Sequence, residues 1–484
     1  MSKGITVKKD EDFSEWYTQV VSPEGAALAD NRYDVKGAIV HLPWGYKIAR
    51  NIYRTLEKVI EKRGHEPFLF PVFTHKSNLD KEEEHSGFAP EVFWVTKGGD
   101  KDLEEPLALR PTGETQIYPR YAEWLRSHAQ LPMKYYQSRH TVYRYESHAR
   151  PFLRGREFLF FETHNVFETH EEALQSIEDD KETMESVIRD TFKIPFKFLK
   201  RPSWDKFLGA DNTYVGDCIM PDGKRNQISS THDLGTNFAE AFDLTYADEE
   251  GNHRNPYQTC FGPGIWRIIA AAIGIHGDNK GLILPSTLAP TQVVITPILF
   301  DNEDTNQKIL EVCNRIKNES SLRVHIDTRD KNPGWKFNQW EMKGVPLRLE
   351  IGPRDLENEE AVLCRRTQSE KTTVDLNSVV ATLPSELHGV DADLDAQAEA
   401  YMTDRVSTAK TIQDVSEAIE HGFVKAPFYD IEGEEAEQYA DTLQEEVPGA
   451  QICGVEPNAA PKDCGTCIVS GKKAKYEVYI AKSY

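Results

Sequence analysis

Apolar residues recur at helical spacing through residues 45–63. Ile48, Ile52, Leu56, Val59 and Ile60 form the apolar set, with Lys58, Glu61 and Lys62 among the polar positions. This pattern predicts an amphipathic helix with one buried stripe. Gly64 ends it, and residues 67–73, bounded by Pro67 and Pro71, read as a strand. Short strand-like runs follow at 92–95, 134–137, 157–161 and 165–167, separated by turn residues and charged helical stretches. Strand and helix do not alternate regularly, which predicts an α+β unit built on an antiparallel sheet. Residues 262–273 are apolar on every side after a glycine-rich turn, the mark of a buried helix.

The pattern changes near residues 285–290. A new first strand is expected at 293–297, a helix at about 305–317 and a strand at 322–326, with helical and strand-like segments alternating afterwards. That is the reading of a smaller α/β unit with a mixed sheet. Residues 393–420 read as helical, 432–446 as an acidic segment, and the remainder to Tyr484 as strand-rich. The expected division is 1–287, 288–392 and 393–484.

Composition narrows this picture. A chain of 484 residues, 39% of them hydrophobic, has room for two to four domains with real cores. It contains no run of eighteen apolar residues, so no membrane span is expected, and nothing at Met1 to Ile5 suggests secretion. The seven cysteines are scattered apart from Cys464 and Cys467, which argues against a disulfide framework and for the cytosol. The net charge of −22 taken alone argues against nucleic-acid binding, and its plainer readings are solubility or adaptation to salt. Local basic patches count for more than the total.

Four clusters carry candidate chemistry. In the first, Arg144 and Glu146 precede a turn with Arg150, Arg154 and Arg156, leading into an apolar strand. Arginine suits phosphate because its planar fork donates paired hydrogen bonds and stays charged. Ion pairing with Glu146 and Glu157 is the plainer alternative. In the second, Arg267 stands at the mouth of the apolar helix, where an anion or a structural acid would partner it. In the third, Thr112 and Glu114 share a tight turn that suits an ammonium group, or else forms an N-cap. In the fourth, Gln227, Ser229, Ser230, Thr231, His232 and Asp233 crowd polar side chains before an apolar continuation, as site-lining or turn-building residues do.

Together these segments resemble the class II aminoacyl-tRNA synthetases. The 45–63 helix and the Pro71 strand resemble motif 1, residues 144–161 resemble motif 2, and Gly262 to Ile273 resemble motif 3. Residues 13–17, 33–37, 87–94, 109–114 and 151–158 further resemble the prolyl-tRNA synthetases of the archaeal and eukaryotic type. Residues 332–340 and 344–355 are similar to that family's anticodon-binding domain, and Tyr484 matches its C-terminal tyrosine.

The resemblance implies a proline–tRNA ligase using ATP and Mg²⁺, acting on tRNA(Pro), and dimerising through motif 1. It implies that Arg144 bridges the α-phosphate and the amino-acid carboxylate, and that Glu146 holds the adenine amino group or the arginine fork. Arg154, Gln227 and Ser230 join the nucleotide site, and Arg267 meets the γ-phosphate. Thr112 and Glu114 take the proline amine, while Phe160, His164 and His232 line the ring pocket with Glu162 beside them. Arg348, Glu350 and Arg354 read anticodon bases, with Lys336 and Lys343 on phosphate.

The chain departs from that pattern in places. Ile265 and Trp266 precede Arg267 where small hydroxyl residues are common, and Phe160 stands where tryptophan is frequent. Of the four cysteines that often hold a structural zinc, only Cys464 and Cys467 are present, and Tyr429 stands where another would be. An apolar ring pocket discriminates weakly against smaller substrates, so alanine activation is expected, and residues 162–261 are too few to hold a large editing insertion. The competing readings are an inactive paralogue and a ligase for another small amino acid. The three motif arginines oppose the first. The Thr112/Glu114 pair, and the lack of an evident three-ligand catalytic metal set, oppose a threonine enzyme.

Overall fold

The structure, a computed structural model, describes residues 4–86 and 91–484. Residues 87–90 of the family-like 87–94 segment lie outside the described residues. A seven-stranded sheet forms the frame of the first unit. In spatial order its strands are Glu66–Pro67, Met133–Tyr143, Glu157–Phe167, Tyr257–Pro263, Arg225–Gly235, Asn212–Ile219 and Lys197–Lys200. All neighbours pair antiparallel except the short Glu66–Pro67 edge. Strand alternation gives this sheet two chemically different faces. On Glu157–Phe167, Leu159 and Phe161 enter the main core, whereas Phe160, Glu162 and His164 line a cavity on the other face.

Helices Pro43–Lys62 and Ile265–His276 cover the core face. The first buries Ile48, Ile52, Leu56 and Ile60 as the periodicity predicts. Pro43 starts it, where a missing N–H costs nothing, and Gly64 closes it at φ +85°. The second is buried along nearly all its length, as its all-round apolar sequence requires. Among the described residues no helix is long and apolar enough to cross a membrane.

Three sequence-based expectations need correction. Residues 67–73 do not form one strand: Glu66–Pro67 ends at once and Phe73–His75 joins a separate three-stranded sheet. Pro67 and Pro71 lack N–H donors, so the ladder cannot run through them. The runs at 157–161 and 165–167 are one eleven-residue strand, because the buried polar residues Glu162, Thr163 and His164 continue the ladder. Residues 393–420 are not one helix: helix Val379–Asp404 is followed by strand Val406–Thr408 and helix Ile412–Ala418.

The second sheet runs Val324–Ile326, Val293–Pro297, Leu347–Ile351, Glu360–Arg365, Lys371–Asp375. Its first three strands are parallel and the rest antiparallel, the expected mixed sheet. Position 392/393 lies within helix Val379–Asp404. A third sheet holds Val406–Thr408, Phe423–Phe428, Tyr476–Ala481 and Gln451–Gly454, with helix Glu434–Glu446 on the acidic segment.

The third sheet is clamped to the first. Lys200 and Val455 exchange backbone hydrogen bonds at 2.8 and 3.0 Å. Gly454, at φ +129°, allows this approach, since a Cβ there would lie 2.1 Å from the Lys200 carbonyl oxygen. Beside it, fully buried Asp217 lies 2.9 Å from Arg201 and 3.3 Å from Arg225. Those arginines reach on to the Cys453 carbonyl and the Gln451 side chain. Removing one partner of such a network leaves uncompensated buried charge. Asp217→Ala is therefore expected to cost about 3–5 kcal/mol in denaturant unfolding. A loss within the error of the measurement would show that the clamp is incidental.

Candidate active site

Two adjoining cavities open on the face of the seven-stranded sheet that carries Phe160, Glu162 and His164. The smaller, about 360 Å³, is lined by Arg144, Glu146, Arg154, Gln227, Ser230 and Arg267 among others. The larger, about 620 Å³, is lined by Thr112, Glu114, Arg144, Phe160, Glu162, His164 and His232 among others. Arg144, Phe160, Gln227, Ser230 and Gly262 belong to both walls. The sequence-derived nucleotide set thus gathers in one cavity and the amino-acid set in the next, with Arg144 between.

Local structure explains the gathering. Gly216 pairs with Ser229 but Asp217 pairs with Gln227, so Ile228 is the extra residue of a bulge. The bulge sends Ile228 into the core and lets Gln227 share the cavity face with Ser230 and His232. Arg144 follows strand Met133–Tyr143, and its N–H donates to the Arg156 carbonyl at 3.0 Å. One oxygen of Glu146 accepts from the His148 N–H at 3.0 Å, and the other lies 3.9 Å from Arg154 Nε. Helix Ile265–His276 begins at Gly264 without a side-chain cap, and Gly264 lines the smaller cavity. Uncapped first-turn amides at a cavity wall favour an anion.

The two cavities have opposite electrostatic character. Burial, reinforced by the charge of Arg154, lowers Arg267 to about 10, which still leaves it cationic at neutral pH. Its surroundings therefore lack enough negative charge, and a polyphosphate would supply it. In the larger cavity, burial alone would raise the Glu162 carboxyl. His164 and His140 override that and hold it well below the usual carboxylate range. Their Nε2 atoms lie 3.1 and 3.0 Å from its oxygens, at ion-pair distance without hydrogen-bond alignment. Gln137 donates to the same carboxylate at 2.5 Å, and Arg110 donates to Gln137 at 3.1 Å. His164 is opposed by burial yet raised by Glu162. Burial, and His164 beside it, lower His232 to about 3, so it is neutral, with Nδ1 2.9 Å from Thr213 Oγ1.

Thr112 does not cap helix Glu114–Trp124; its hydroxyl donates to the Glu114 carboxylate, and Gly113 is the N-cap. Glu114 also accepts from Cys260 Sγ at 3.1 Å. Phe160 and Phe207 give the larger cavity aromatic walls, the latter 4.7 Å ring to ring from His232.

The anticodon candidates are less well gathered. Arg348 lines a third cavity of about 250 Å³ with Lys280, Glu341, Arg366 and Lys371. Glu350 is buried and already accepts from Lys371 and Arg348, so its oxygens are committed. Lys336 is buried with its ammonium on the Asp327 carbonyl at 3.0 Å, which removes it from any surface a phosphate reaches. Lys343 lies over Trp44 and Trp340, and Arg354 is exposed outside that cavity. Among the described residues, Cys464 and Cys467 share no metal-competent group with a third His, Cys, Asp or Glu. Instead Lys472 and Lys475 lie over Tyr429, paired with Glu435 and Asp430.

Sequence reading missed Cys260, His140, Gln137, Arg201 and the aromatic loop with Trp204 and Phe207. Only strand register brings Gln137 opposite Glu162, and Cys260 between His164 and His232. The same register brings one possible ligand atom each of Glu114, His164 and Cys260 within 4.8 Å of one another, a grouping that the sequence alone does not display.

Residues 93–276 match the tRNA synthetase class II core domain (G, H, P, S and T), and residues 292–386 match an anticodon binding domain. The chain is 48% identical to a proline–tRNA ligase of Thermofilum pendens, covering 100% of this chain and 99% of that one. It is 43% identical to a proline–tRNA ligase of Methanobrevibacter smithii, covering 98% of this chain and 100% of the relative. Among solved structures it is similar to the Giardia lamblia prolyl-tRNA synthetase in complex with prolyl-adenylate. That match has TM-score 0.94 and 34% identity, and covers 99% of this chain and 100% of the other. It is also similar to the Cryptosporidium parvum prolyl-tRNA synthetase complexed with halofuginone and AMPPNP, with TM-score 0.92, 32% identity and coverage of 99% and 97%. Similarity at this level along the whole length means that the chain belongs to the proline–tRNA ligase family of class II aminoacyl-tRNA synthetases.

Proposed function

We propose that the chain activates L-proline with ATP and transfers it to the 3′ end of tRNA(Pro). The observation that carries this reading is Arg144, shared by a cation-lined cavity and a carboxylate-lined one. In the first step a proline carboxylate oxygen attacks the α-phosphorus of ATP, the α–β P–O bond breaks, and pyrophosphate leaves. Two anions must meet, so catalysis is chiefly positioning and charge stabilisation. Arg144 lies between them, Arg154 and Arg267 hold the polyphosphate, and Ser230 and Gln227 fix the nucleotide at the junction. Glu146 and Gln227 are the oxygen donors on that wall suited to Mg²⁺, which spreads the triphosphate charge when bound. In the second step the terminal tRNA hydroxyl attacks the prolyl carbonyl and AMP leaves.

Thr112 and Glu114 receive the secondary ammonium of proline, and Phe160, His164, Phe207 and His232 enclose its ring, with Glu162 fixing His164. We assign residues 1–287 to catalysis, 288–392 to anticodon binding and 393–484 to support of the site. Dimerisation through the motif 1 region and a cytosolic location complete the reading. For the anticodon, the guanine-reading carboxylate moves from Glu350 to Glu341, which lines the basic cavity and is only half-buried. A carboxylate there accepts from guanine N1–H and N2–H, beside Arg348 and Lys371.

ATP–pyrophosphate exchange tests the first step. Exchange is expected to be strongest with proline and to fall about 10²–10³-fold in Arg144→Ala, as for loss of one charge-stabilising donor. Alanine lacks two ring methylenes, so weak exchange with it is expected, about 30-fold to 2 × 10⁴-fold below proline at ~1–3 kcal/mol each. Strongest exchange with another amino acid would overturn the pocket assignment.

Glu341→Gln should raise KM for tRNA(Pro) while leaving proline–ATP exchange unchanged. An unchanged KM for tRNA returns the reading of guanine to another group.

The buried pair has a pH signature. His164 is raised above 6.5, so its share of stability is full below that value and is lost as pH rises through the raised one. Glu162 is depressed below 4.5, so its share persists above that value and fades as pH falls through the depressed one. By NMR titration His164 should titrate above 6.5 in the native chain and lower in Glu162→Gln, where burial is opposed only by the weaker influence of Glu114. Identical titrations in both would show that Glu162 does not set the His164 charge.

A further inference from the structure

The sheet register lines up donors beneath the amino-acid cavity. Cys260 pairs across strands with His164 on one side and His232 on the other. Glu114 descends onto it from the start of helix Glu114–Trp124, accepting from Cys260 Sγ at 3.1 Å. One ligand atom each from Glu114, His164 and Cys260 lies within 4.8 Å of the others, and all three residues are buried. They are the one such group among the described residues. His164 is fully buried and its Nε2 makes no hydrogen bond, although Glu162 Oε2 lies 3.1 Å away.

We infer that Glu114, His164 and Cys260 form a binding site for a borderline-soft divalent cation of the Zn²⁺ class, whose occupancy excludes the amino-acid substrate. The donor set of one sulfur, one nitrogen and one oxygen selects Zn²⁺ or Co²⁺; Mg²⁺, which accompanies ATP, prefers oxygen ligands in an octahedron. Metal–ligand bonds of ~2.0–2.3 Å at tetrahedral angles put ligands about 3.5 Å apart. The Cys260–Glu114 pair already meets that spacing at 3.1 Å, and closing the widest separation, at most 4.8 Å, takes a shift of about 1 Å. Binding replaces the Cys260 thiol proton, which leaves to solvent, by the metal. Three protein ligands leave a fourth position for water.

The consequence is competition. The cation engages Glu114, the carboxylate assigned to the substrate amine, and sets positive charge where the ammonium sits. ATP occupies the adjoining cavity and is not displaced. The competition rests on the placement of proline proposed above; the metal site itself does not.

The test is a Co²⁺ titration of the metal-free full-length chain carrying Cys464→Ser and Cys467→Ser, which removes the two thiols of the CxxC segment. The expected result is one Co²⁺ per chain with thiolate-to-cobalt charge-transfer absorption. Zn²⁺ and saturating proline should abolish the band, and ATP should not. Adding Cys260→Ser should also abolish it. If that variant fails to fold, displacement by proline in the folded chain decides. In exchange assays with free Zn²⁺ buffered at ten times its Kd, KM for proline should rise about elevenfold with kcat unchanged, the mark of competition at one site. Absence of the band, or its persistence in folded Cys260→Ser, overturns the metal site. A band that survives saturating proline overturns the competition where the chain exchanges proline normally. In a chain with no proline exchange the same result overturns the substrate reading instead.

Discussion

The carboxylate of Glu162, 3% exposed, lies between the Nε2 atoms of His140 and His164 at 3.0 and 3.1 Å. A charge buried this deeply without partners would cost several kcal/mol, so the groups around it are not free to vary. Gln137 and Arg110 extend the network behind it. The turn carrying Thr112 and Glu114 rests directly upon it. A Cβ on Gly113 would fall 2.7 Å from His164 Nε2 and 2.8 Å from a Glu162 oxygen, so only glycine lets the turn sit this close. The position of the Thr112–Glu114 turn is thereby set by a buried ion pair.

From that anchor the polarity of the cleft follows. The larger cavity carries carboxylates, the neutral His232 and the ion-paired His164, whereas the smaller carries Arg154 and Arg267 with an uncapped helix N-terminus. A zwitterionic amino acid and a polyphosphate would enter such a pair of cavities in only one order, carboxylate toward phosphate. Arg144 stands on the wall that the two cavities share. The bulge at Ile228 belongs to the same design: without it, Gln227 would face the helices and the junction would lose a polar wall.

Much of this was legible in the chain, and the reasons are physical. Helix Pro43–Lys62 shows its period because one stripe is buried and the rest is solvated. The resemblance supplied residues that the cavities do gather, since short motifs carry their own turn geometry. Other features depend on register, which no single stretch encodes. Cys260 meets Glu114 and His164 only once two strands are aligned and helix Glu114–Trp124 is set upon them, and His140 reaches Glu162 only across the Met133–Tyr143 pairing, which shifts register between Gln137 and His140. Lys336 reads as a surface cation because lysine usually is one. Its burial on the Asp327 carbonyl follows from the fold of its own helix against the parallel strands.

The third unit enters the chemistry through one arginine. Arg201 donates to the Cys453 carbonyl in the tail sheet, pairs with buried Asp217, and donates to the Gln227 side chain at 2.9 Å. Gln227 stands on the wall shared by both cavities. A displacement of strand Gln451–Gly454 would pull on Arg201 and hence on the junction between the two cavities. The backbone pairing of Lys200 with Val455, possible only beside Gly454, opposes that displacement. The tail sheet therefore acts as a brace for the catalytic sheet's far edge. This gives the C-terminal unit a physical role that does not require a metal at Cys464 and Cys467.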